Sequence, residues 1–408
     1  MKTKLLVFSP SCQKVDVLLQ QLLNPILLNG HQIKSSTSAE HVGVLRSVEG
    51  NMPHIMSRLS AHIRAVMSVA PAGLAYGHHG NPAASLRLER LYGCPVLLSG
   101  LASLVLNNSE IAVVHHHHKI NLERLLKLHR NTPECVVMFL AGSLPVTALL
   151  HLRMLSLLGM IARLGPDNIL HRHGCYILLS HKKERSWFSS MRTICLQYGL
   201  PDPLITLQSP QPKESWKKLT KAKVTDFWEE KLRAQASILS SLEYFNPNYM
   251  SLTKPHPMFL AANSPFEVKK AVVVARMLSG RYRTDRLVRH WSKTNPTGLC
   301  KLPGCAGDKF GDLPHILLYC SALEDTRLHL STLWSNFMLS RPYLFPIIII
   351  GQERSLMQLL LDPSSMSPVI SANQENSDVL PCCLYLSRTW VYSIHLRRSK
   401  LQKQFNLL

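Results

Sequence analysis

The sequence has no apolar run of the length that a membrane span requires. The stretches 135–150 and 345–351 are apolar, but both are shorter than the roughly 20 residues of a transmembrane helix. The apolar run at 5–8 is also too short for a secretory signal peptide. We therefore expect these stretches to be buried core and expect no membrane partner.

Acidic residues are scarce relative to basic ones. The 408 residues include 25 Asp and Glu against 46 Lys and Arg, which gives a formal net charge of +21. This surplus favours contact with the phosphates of RNA or DNA, or with an acidic surface. A basic protein with scattered charges and no such partner is the alternative. The apolar fraction of 46% is typical of a globular protein.

The ten cysteines do not form the dense, regular framework of a small secreted disulfide protein. Most of them are isolated in apolar surroundings. A reducing compartment suits such a pattern, so we expect an intracellular protein, either nuclear or cytoplasmic.

The apolar pattern predicts a mainly α-helical protein with a small β element at the N-terminus. The pair Asn29-Gly30 lies between apolar flanks and suits a two-residue hairpin turn, because both positions of that turn need positive φ. A further strand is predicted at 41–45.

Helices are predicted where apolar residues recur three or four apart between capping residues. One begins near Pro53 and has an apolar stripe of Ile55, Leu59, Ile63 and Val66. A second is expected from Pro82 to Tyr92, with Asn81 as its cap and Gly93 as its end. A third is expected from the cap Ser264 to Gly280.

Four consecutive histidines stand at 115–118. Adjacent side chains point in different directions on a helix or a strand. We therefore do not expect them to converge on one metal ion.

The sharpest local motif is C-x4-C-x9-H-x4-C, formed by Cys300, Cys305, His315 and Cys320. Zinc is commonly held by four such ligands in a closed tetrahedral site, and turn residues between the first two cysteines let both sulfurs face one ion. We predict a structural zinc ion in a small knuckle that depends on the metal to fold. The alternative is three buried cysteines and a surface histidine.

The second half of this motif makes a geometric demand. Residues five apart on an ideal α-helix are rotated by about 140°, so His315 and Cys320 would point apart. We therefore expect the helix to begin or to break between them.

A one-sided basic stretch precedes the zinc motif. Between Ser264 and Lys293 there are eight Lys and Arg but only two acids. Tyr282 and Trp291 lie among them and could stack on bases; a solvated helix face is the alternative. The predicted nucleic-acid-binding residues are Lys269, Lys270, Arg276, Arg281, Arg283, Arg286, Arg289 and Lys293.

The order of these motifs resembles the C-terminal part of a LINE-type (non-LTR retrotransposon) reverse transcriptase. Around the zinc ligands, the resemblance is carried by Ser264-Pro265, 278–284, His290-Trp291, 298–305 and 315–320. Upstream, segments similar to the end of the palm, the primer-grip-like hairpin and the thumb are 2–8, Asn29-Gly30, 40–43 and the helix from Pro53. The resemblance covers residues 1 to about 330. It implies an RNA-directed DNA polymerase of a transposable element.

The paired palm aspartates that hold two divalent ions in such polymerases have no counterpart here. The chain has no Asp-Asp pair, and Asp16 is the one aspartate in its first fifty residues. The fingers and most of the palm would precede Met1. We therefore expect a truncated, catalytically incomplete chain that binds nucleic acid, with a polymerase-bearing chain as a conceivable partner. The alternatives are a non-enzymatic structural or protein-interaction protein, or a decayed transposon remnant without function.

The resulting domain hypothesis has six contiguous segments, the first and second named from the resemblance. They are a palm remnant with a hairpin (1–50), thumb-like helices (51–110), a helical connector (111–212), a basic helical region (213–293), the zinc knuckle (294–330) and a helical tail of unknown role (331–408).

Overall fold

A computed structural model describes residues 27–28, 31–32, 36–69, 80–180, 186–289, 295–341, 353–366, 379–405 and 407. The chain forms two compact units, each built from separate stretches. Unit 1 comprises Met1–Pro71, Arg87–Lys119 and Leu144–Trp228, and unit 2 comprises Ala72–Leu86, Ile120–Ser143 and Glu229–Leu408. The contiguous domain limits inferred from the sequence remain a prediction.

The described chain is mainly α-helical with short antiparallel strand pairs near its N-terminus, which confirms the predicted class. The strands are β1 (Leu27–Leu28), β2 (His31–Gln32), β3 (Ser38–His41) and β4 (Val44–Ser47). The α-helices are α1 (Met52–Ser68), α2 (Pro82–Leu88), α3 (Cys94–Leu97), α4 (Asn108–Leu125), α5 (Glu134–Ala141), α6 (Val146–Arg163), α7 (Ile169–Leu179), α8 (Trp187–Gln197), α9 (Pro203–Gln208), α10 (Lys213–Ile238), α11 (Pro257–Leu260), α12 (Pro265–Leu278), α13 (Asp285–Val288), α14 (Glu324–Leu339), α15 (Glu353–Leu361) and α16 (Val379–Gln404).

Two hairpins begin the described part of unit 1. Leu28 pairs with His31, which confirms the first hairpin, while its turn residues lie outside the described part. The single strand expected over 41–45 is wrong, because β3 and β4 pair with each other across a turn at Val42 and Gly43. These two residues have φ of 50° and 75°, the positive values that a tight hairpin turn of this kind needs.

Helix α1 is confirmed, but its buried face differs from the predicted stripe. Ile55, Leu59 and Val66 are buried, whereas Ile63 is 49% exposed. His62 is buried instead and is 1% exposed. A pattern of apolar residues could not identify this face, because a histidine occupies one of its interior positions.

The second predicted helix does not end at Gly93. Asn81 does cap α2, since its Oδ1 accepts the Ala83 N–H at 2.8 Å. The chain then continues through a π turn at Glu89–Gly93 directly into α3. Gly93 has φ −62° and ψ −59°, so it continues the helix and does not need the freedom of a glycine at a helix end.

Helix α6 is the one described helix that is long and apolar enough to cross a membrane by length and composition. Of this segment, 56% is buried inside the protein, including Leu155 and Leu158, which have no exposed surface. The core helix of a soluble protein passes the same test of length and composition.

In unit 2, α12 packs against α16. Ser264 Oγ accepts the Glu267 N–H at 3.2 Å, which confirms the predicted cap. The Glu267 carboxylate binds Lys270 and Arg388 at 2.8 and 3.2 Å. Gly280, at φ +65°, follows α12 and sets the direction in which the chain enters the predicted binding region.

Candidate metal centre

The first two predicted ligands lie on a loop that folds back on itself. The Cys305 N–H donates to Leu302 O at 3.1 Å, which closes a turn through Pro303 and Gly304. Gly304 has φ +86°, a value that glycine adopts without steric cost. The Cys300 N–H donates to Lys309 O at 2.9 Å and anchors the far end of the loop.

The other two ligands lie at opposite ends of a π turn, His315–Tyr319. The Cys320 N–H donates to His315 O at 2.7 Å, so residues five apart lie one above the other. We predicted that the helix would begin or break between these residues. The wider π turn holds one residue more than an α-helical turn, so it places the side chains of His315 and Cys320 on the same side without a break in the helix.

The four ligand atoms, Cys300 Sγ, Cys305 Sγ, His315 Nε2 and Cys320 Sγ, form one cluster in unit 2, all within 4.8 Å of one another. The Sγ atoms of Cys300 and Cys320 are 3.9 Å apart, and Cys305 Sγ is 3.5 Å from His315 Nε2. Tetrahedral zinc with bonds of about 2.3 Å to sulfur and 2.0 Å to nitrogen would give separations of roughly 3.8 Å between sulfurs and 3.5 Å between sulfur and nitrogen. The donor set and its spacing therefore fit a zinc ion.

Burial and a mutual hydrogen bond give the thiols of Cys300 and Cys320 different pKa values. The hydrogen bond with Cys320, together with burial, raises the pKa of Cys300 to about 12. The same hydrogen bond lowers the pKa of Cys320. Cys320 is therefore the first of this pair to become a thiolate, the form that binds metal.

The predicted nucleic-acid-binding residues differ in accessibility. Lys269, Arg281, Arg283 and Arg286 are exposed and Arg289 is half-buried, while Lys293 lies outside the described residues. Lys270 is 5% exposed, with Nζ 2.8 Å from Glu267.

Arg276 also makes an internal contact. Its Nε donates to Lys127 O at 2.9 Å, and burial lowers its pKa. Lys270 and Arg276 therefore contribute to the packing of unit 2.

The exposed aromatic side chain beside Arg286 and Arg289 is not one of the two that we predicted. Tyr282, which we expected to stack on bases, is 7% exposed; burial raises its pKa, and its hydroxyl lies 2.8 Å from His395 Nδ1. Trp291 lies outside the described residues. Phe310 is 45% exposed, and its ring lies 5.7 Å from the guanidinium carbon of both Arg286 and Arg289. We missed it because it lies inside the zinc motif, away from the basic run.

A basic cavity of about 330 Å³ lies in the same unit. Asp285 is its acidic lining residue, and it is 3.6 Å from Arg398. The cationic and histidine side chains that line it are His129, Arg276, Arg283, Lys301, His395 and Arg398. The cavity therefore offers an anion more positive than negative charge.

Comparisons of the chain with protein families, with curated proteins and with solved structures found no match.

Proposed function

We propose that this protein binds RNA or DNA through a surface organised by a structural zinc ion. The surface consists of Arg286, Arg289 and Phe310, here called the Arg–Phe surface. The observation that carries the proposal is the exposed Phe310 ring, with a guanidinium group 5.7 Å away on each of two arginines. A nucleotide suits this arrangement, because its base can stack on the ring while its phosphates meet the cations.

The metal ligands and the Arg–Phe surface share a backbone framework. Phe310 follows Lys309, whose carbonyl accepts the Cys300 N–H. It precedes Gly311, whose N–H donates to Gly298 O at 3.0 Å. A small loop of this kind draws much of its folding energy from its metal, so bound zinc would hold Phe310 beside the two arginines.

Further positive charge extends the binding region within unit 2. Arg281, Arg283 and Lys301 are exposed, and the last two line the basic cavity. Binding that displaces counterions from phosphates weakens steeply as salt rises. The stacking partner in the Arg–Phe surface favours an unpaired base, and hence a single-stranded segment.

We infer further that the chain is the C-terminal part of a LINE-type reverse transcriptase, catalytically incomplete by itself. The order of the motifs, the mainly helical fold and the Cys3His cluster support this inference. In that setting the region would grip template RNA or target DNA. Free thiols in the zinc cluster suit an intracellular site, nuclear or cytoplasmic.

Fluorescence anisotropy with a labelled single-stranded RNA of about 20 nucleotides tests the proposal across a salt series. Phe310→Ala is expected to weaken binding by roughly 5- to 150-fold, the effect of losing one stacked base at ~1–3 kcal/mol. Arg286→Gln with Arg289→Gln is expected to reduce the slope of log affinity against log salt by about 1.5.

Two controls match these changes in chemistry but lie in unit 1. Tyr176→Ala removes an aromatic ring that is 70% exposed, and Lys217→Gln with Lys218→Gln removes two exposed charges on α10. Both are expected to bind nearly as the unmodified protein does. If the controls weaken binding as much as the Arg–Phe variants, attraction to the whole basic chain explains the result and the proposal is wrong. The same holds if none of the variants changes binding.

A further inference from the structure

A second cluster of metal-ligand side chains lies in unit 1, far along the sequence from the Cys3His motif. Glu89, Cys94 and His118 each place one ligand atom within 4.8 Å of the others. All three residues are buried, at 4%, 8% and 0% exposure. The cluster combines oxygen, sulfur and nitrogen donors, a set that zinc accepts.

The distances within this second cluster match metal coordination. Cys94 Sγ lies 3.4 Å from Glu89 Oε1 and 3.5 Å from His118 Nε2. A tetrahedral zinc ion with usual bond lengths would separate sulfur from an oxygen or nitrogen ligand by about 3.5 Å. One ion can therefore contact all three atoms with little rearrangement.

The backbone brings Glu89 and Cys94 together by the same means as in the Cys3His cluster. The Cys94 N–H donates to Glu89 O across a π turn, so the two side chains, five residues apart, share one side. His315 and Cys320 have the same spacing and the same type of turn. π turns are rare and occur frequently at functional sites.

Gly93 is part of this arrangement. A Cβ atom at this position would lie 2.1 Å from Glu89 Oε2, so any larger residue would displace the carboxylate. Since Gly93 has an ordinary helical φ, the space occupied by the Glu89 carboxylate is what requires a glycine here.

Two further histidines form a hydrogen-bonded chain that ends on the Glu89 carboxylate. His62 Nε2 lies 2.9 and 3.1 Å from the two carboxylate oxygens, and its Nδ1 lies 2.9 Å from His117 Nε2. Histidine–carboxylate pairs of this kind orient the ligands of metal sites. We did not expect neighbouring histidines of the run 115–118 to take part in one site. His118 lies beside Cys94, and His117 contacts His62, which in turn contacts Glu89.

The buried charge is the second reason to expect an ion. A buried carboxylate beside a thiol and imidazoles is costly unless its charge is compensated. A divalent cation bound to the three inner atoms would balance the charge of Glu89 and of a Cys94 thiolate.

We propose that Glu89, Cys94 and His118 bind a second zinc ion in unit 1. His62 and His117 act as positioning residues for the Glu89 carboxylate. Binding forms three bonds to the ion and releases the Cys94 thiol proton to solvent. The site does not depend on the proposed nucleic-acid binding.

Zinc per chain, measured by inductively coupled plasma mass spectrometry on the purified full chain, tests this proposal. The unmodified protein is expected to hold two zinc ions, and Cys94→Ala one. Cys305→Ala is also expected to hold one, because it removes a ligand of the other cluster. Cys195→Ala, a change at a buried cysteine of the same unit outside both clusters, is expected to retain two.

Glu89→Gln keeps a hydrogen bond to His62 and guards against misfolding of the cysteine variant. It removes the negative ligand and is expected to weaken binding of the second zinc by at least tenfold. The absorption spectrum of the cobalt-substituted protein gives an independent count of the thiolate ligands. Cys94→Ala should remove the charge-transfer absorption of one of four thiolates, three in the Cys3His cluster and one here.

One zinc ion in the unmodified protein, lost in Cys305→Ala and retained in Cys94→Ala, would overturn the proposal. So would unweakened binding of two zinc ions by Glu89→Gln. Failure of RNA binding would leave the second site standing, because zinc content is measured without nucleic acid.

Discussion

Replacement of His151 is expected to remove part of the acid sensitivity of unit 1. Burial lowers the pKa of His151 from 6.5 to about 4. The hydrogen-bond pattern requires the neutral form independently of this value. Trp228 Nε1–H donates to the Tyr198 hydroxyl oxygen at 3.0 Å, and the hydroxyl proton is left for His151 Nδ1 at 2.7 Å. Protonation of Nδ1 would leave that proton without an acceptor.

The direction of the pH effect follows from the lowered pKa. The unfolded chain binds a proton near pH 6.5, whereas the folded chain does so only near pH 4. The stabilisation is therefore complete above pH 6.5 and is lost as pH falls towards 4. Between pH 7.5 and pH 5 the loss is about 2 kcal/mol, at 1.36 kcal/mol per pH unit.

Urea unfolding followed by tryptophan fluorescence at pH 7.5 and pH 5 measures this loss. His151→Gln is expected to lose about 2 kcal/mol less than the unmodified protein over this range. His329→Gln, at an exposed histidine, is expected to behave as the unmodified protein. An equal loss in His151→Gln and in the unmodified protein would refute the reasoning, because it would mean that His151 is protonated as easily in the folded state as in the unfolded one.

Three further outcomes are expected. Gly142→Ala should lower the free energy of unfolding of unit 2 by about 3 kcal/mol or more in thermal unfolding. At φ +59°, the added Cβ would lie 1.9 Å from the Lys254 carbonyl carbon. The control Gly165→Ala, at φ +78° with open space around it, should lower the free energy of unfolding by only about 1 kcal/mol. Cys305→Ser should speed hydrogen exchange of the Cys300 and Gly311 N–H groups at least tenfold while α6 exchange is unchanged; slow exchange at both would contradict a metal-dependent loop. Primer extension on an RNA template should give no product with this chain alone, and any product that survives repurification would disprove catalytic incompleteness.

The sequence was most informative where spacing alone defines the chemistry. The cysteine and histidine spacing predicted all four members of the Cys3His cluster, because ligand type and turn residues together restrict how such a segment can fold. Caps at Asn81 and Ser264 were also predictable, since one side-chain oxygen meets a nearby backbone N–H.

The second cluster could not be predicted in this way. Its ligands come from three helical segments, and the rule that places residues on helix faces assumes about 100° per residue. A π turn departs from that rule, which would place Glu89 and Cys94 about 140° apart. Tyr282 and Lys270 were misplaced for another reason: residue type suggested exposure, but contacts between distant segments decided their burial.

The π turns give both clusters a dependence on chain length. Each turn holds one residue more than an α-helical turn, and that residue brings the two ligands onto one side. Deletion of a single residue between His315 and Cys320, or between Glu89 and Cys94, would let an ordinary helix form with the two ligands four residues and about 40° apart, still on one face. In an ordinary helix with one inserted residue, the same two ligands would lie six residues and about 120° apart. In these two segments, therefore, exchanges of one exposed side chain for another should be tolerated, and the gain of a residue should harm the ligand pair more than the loss of one.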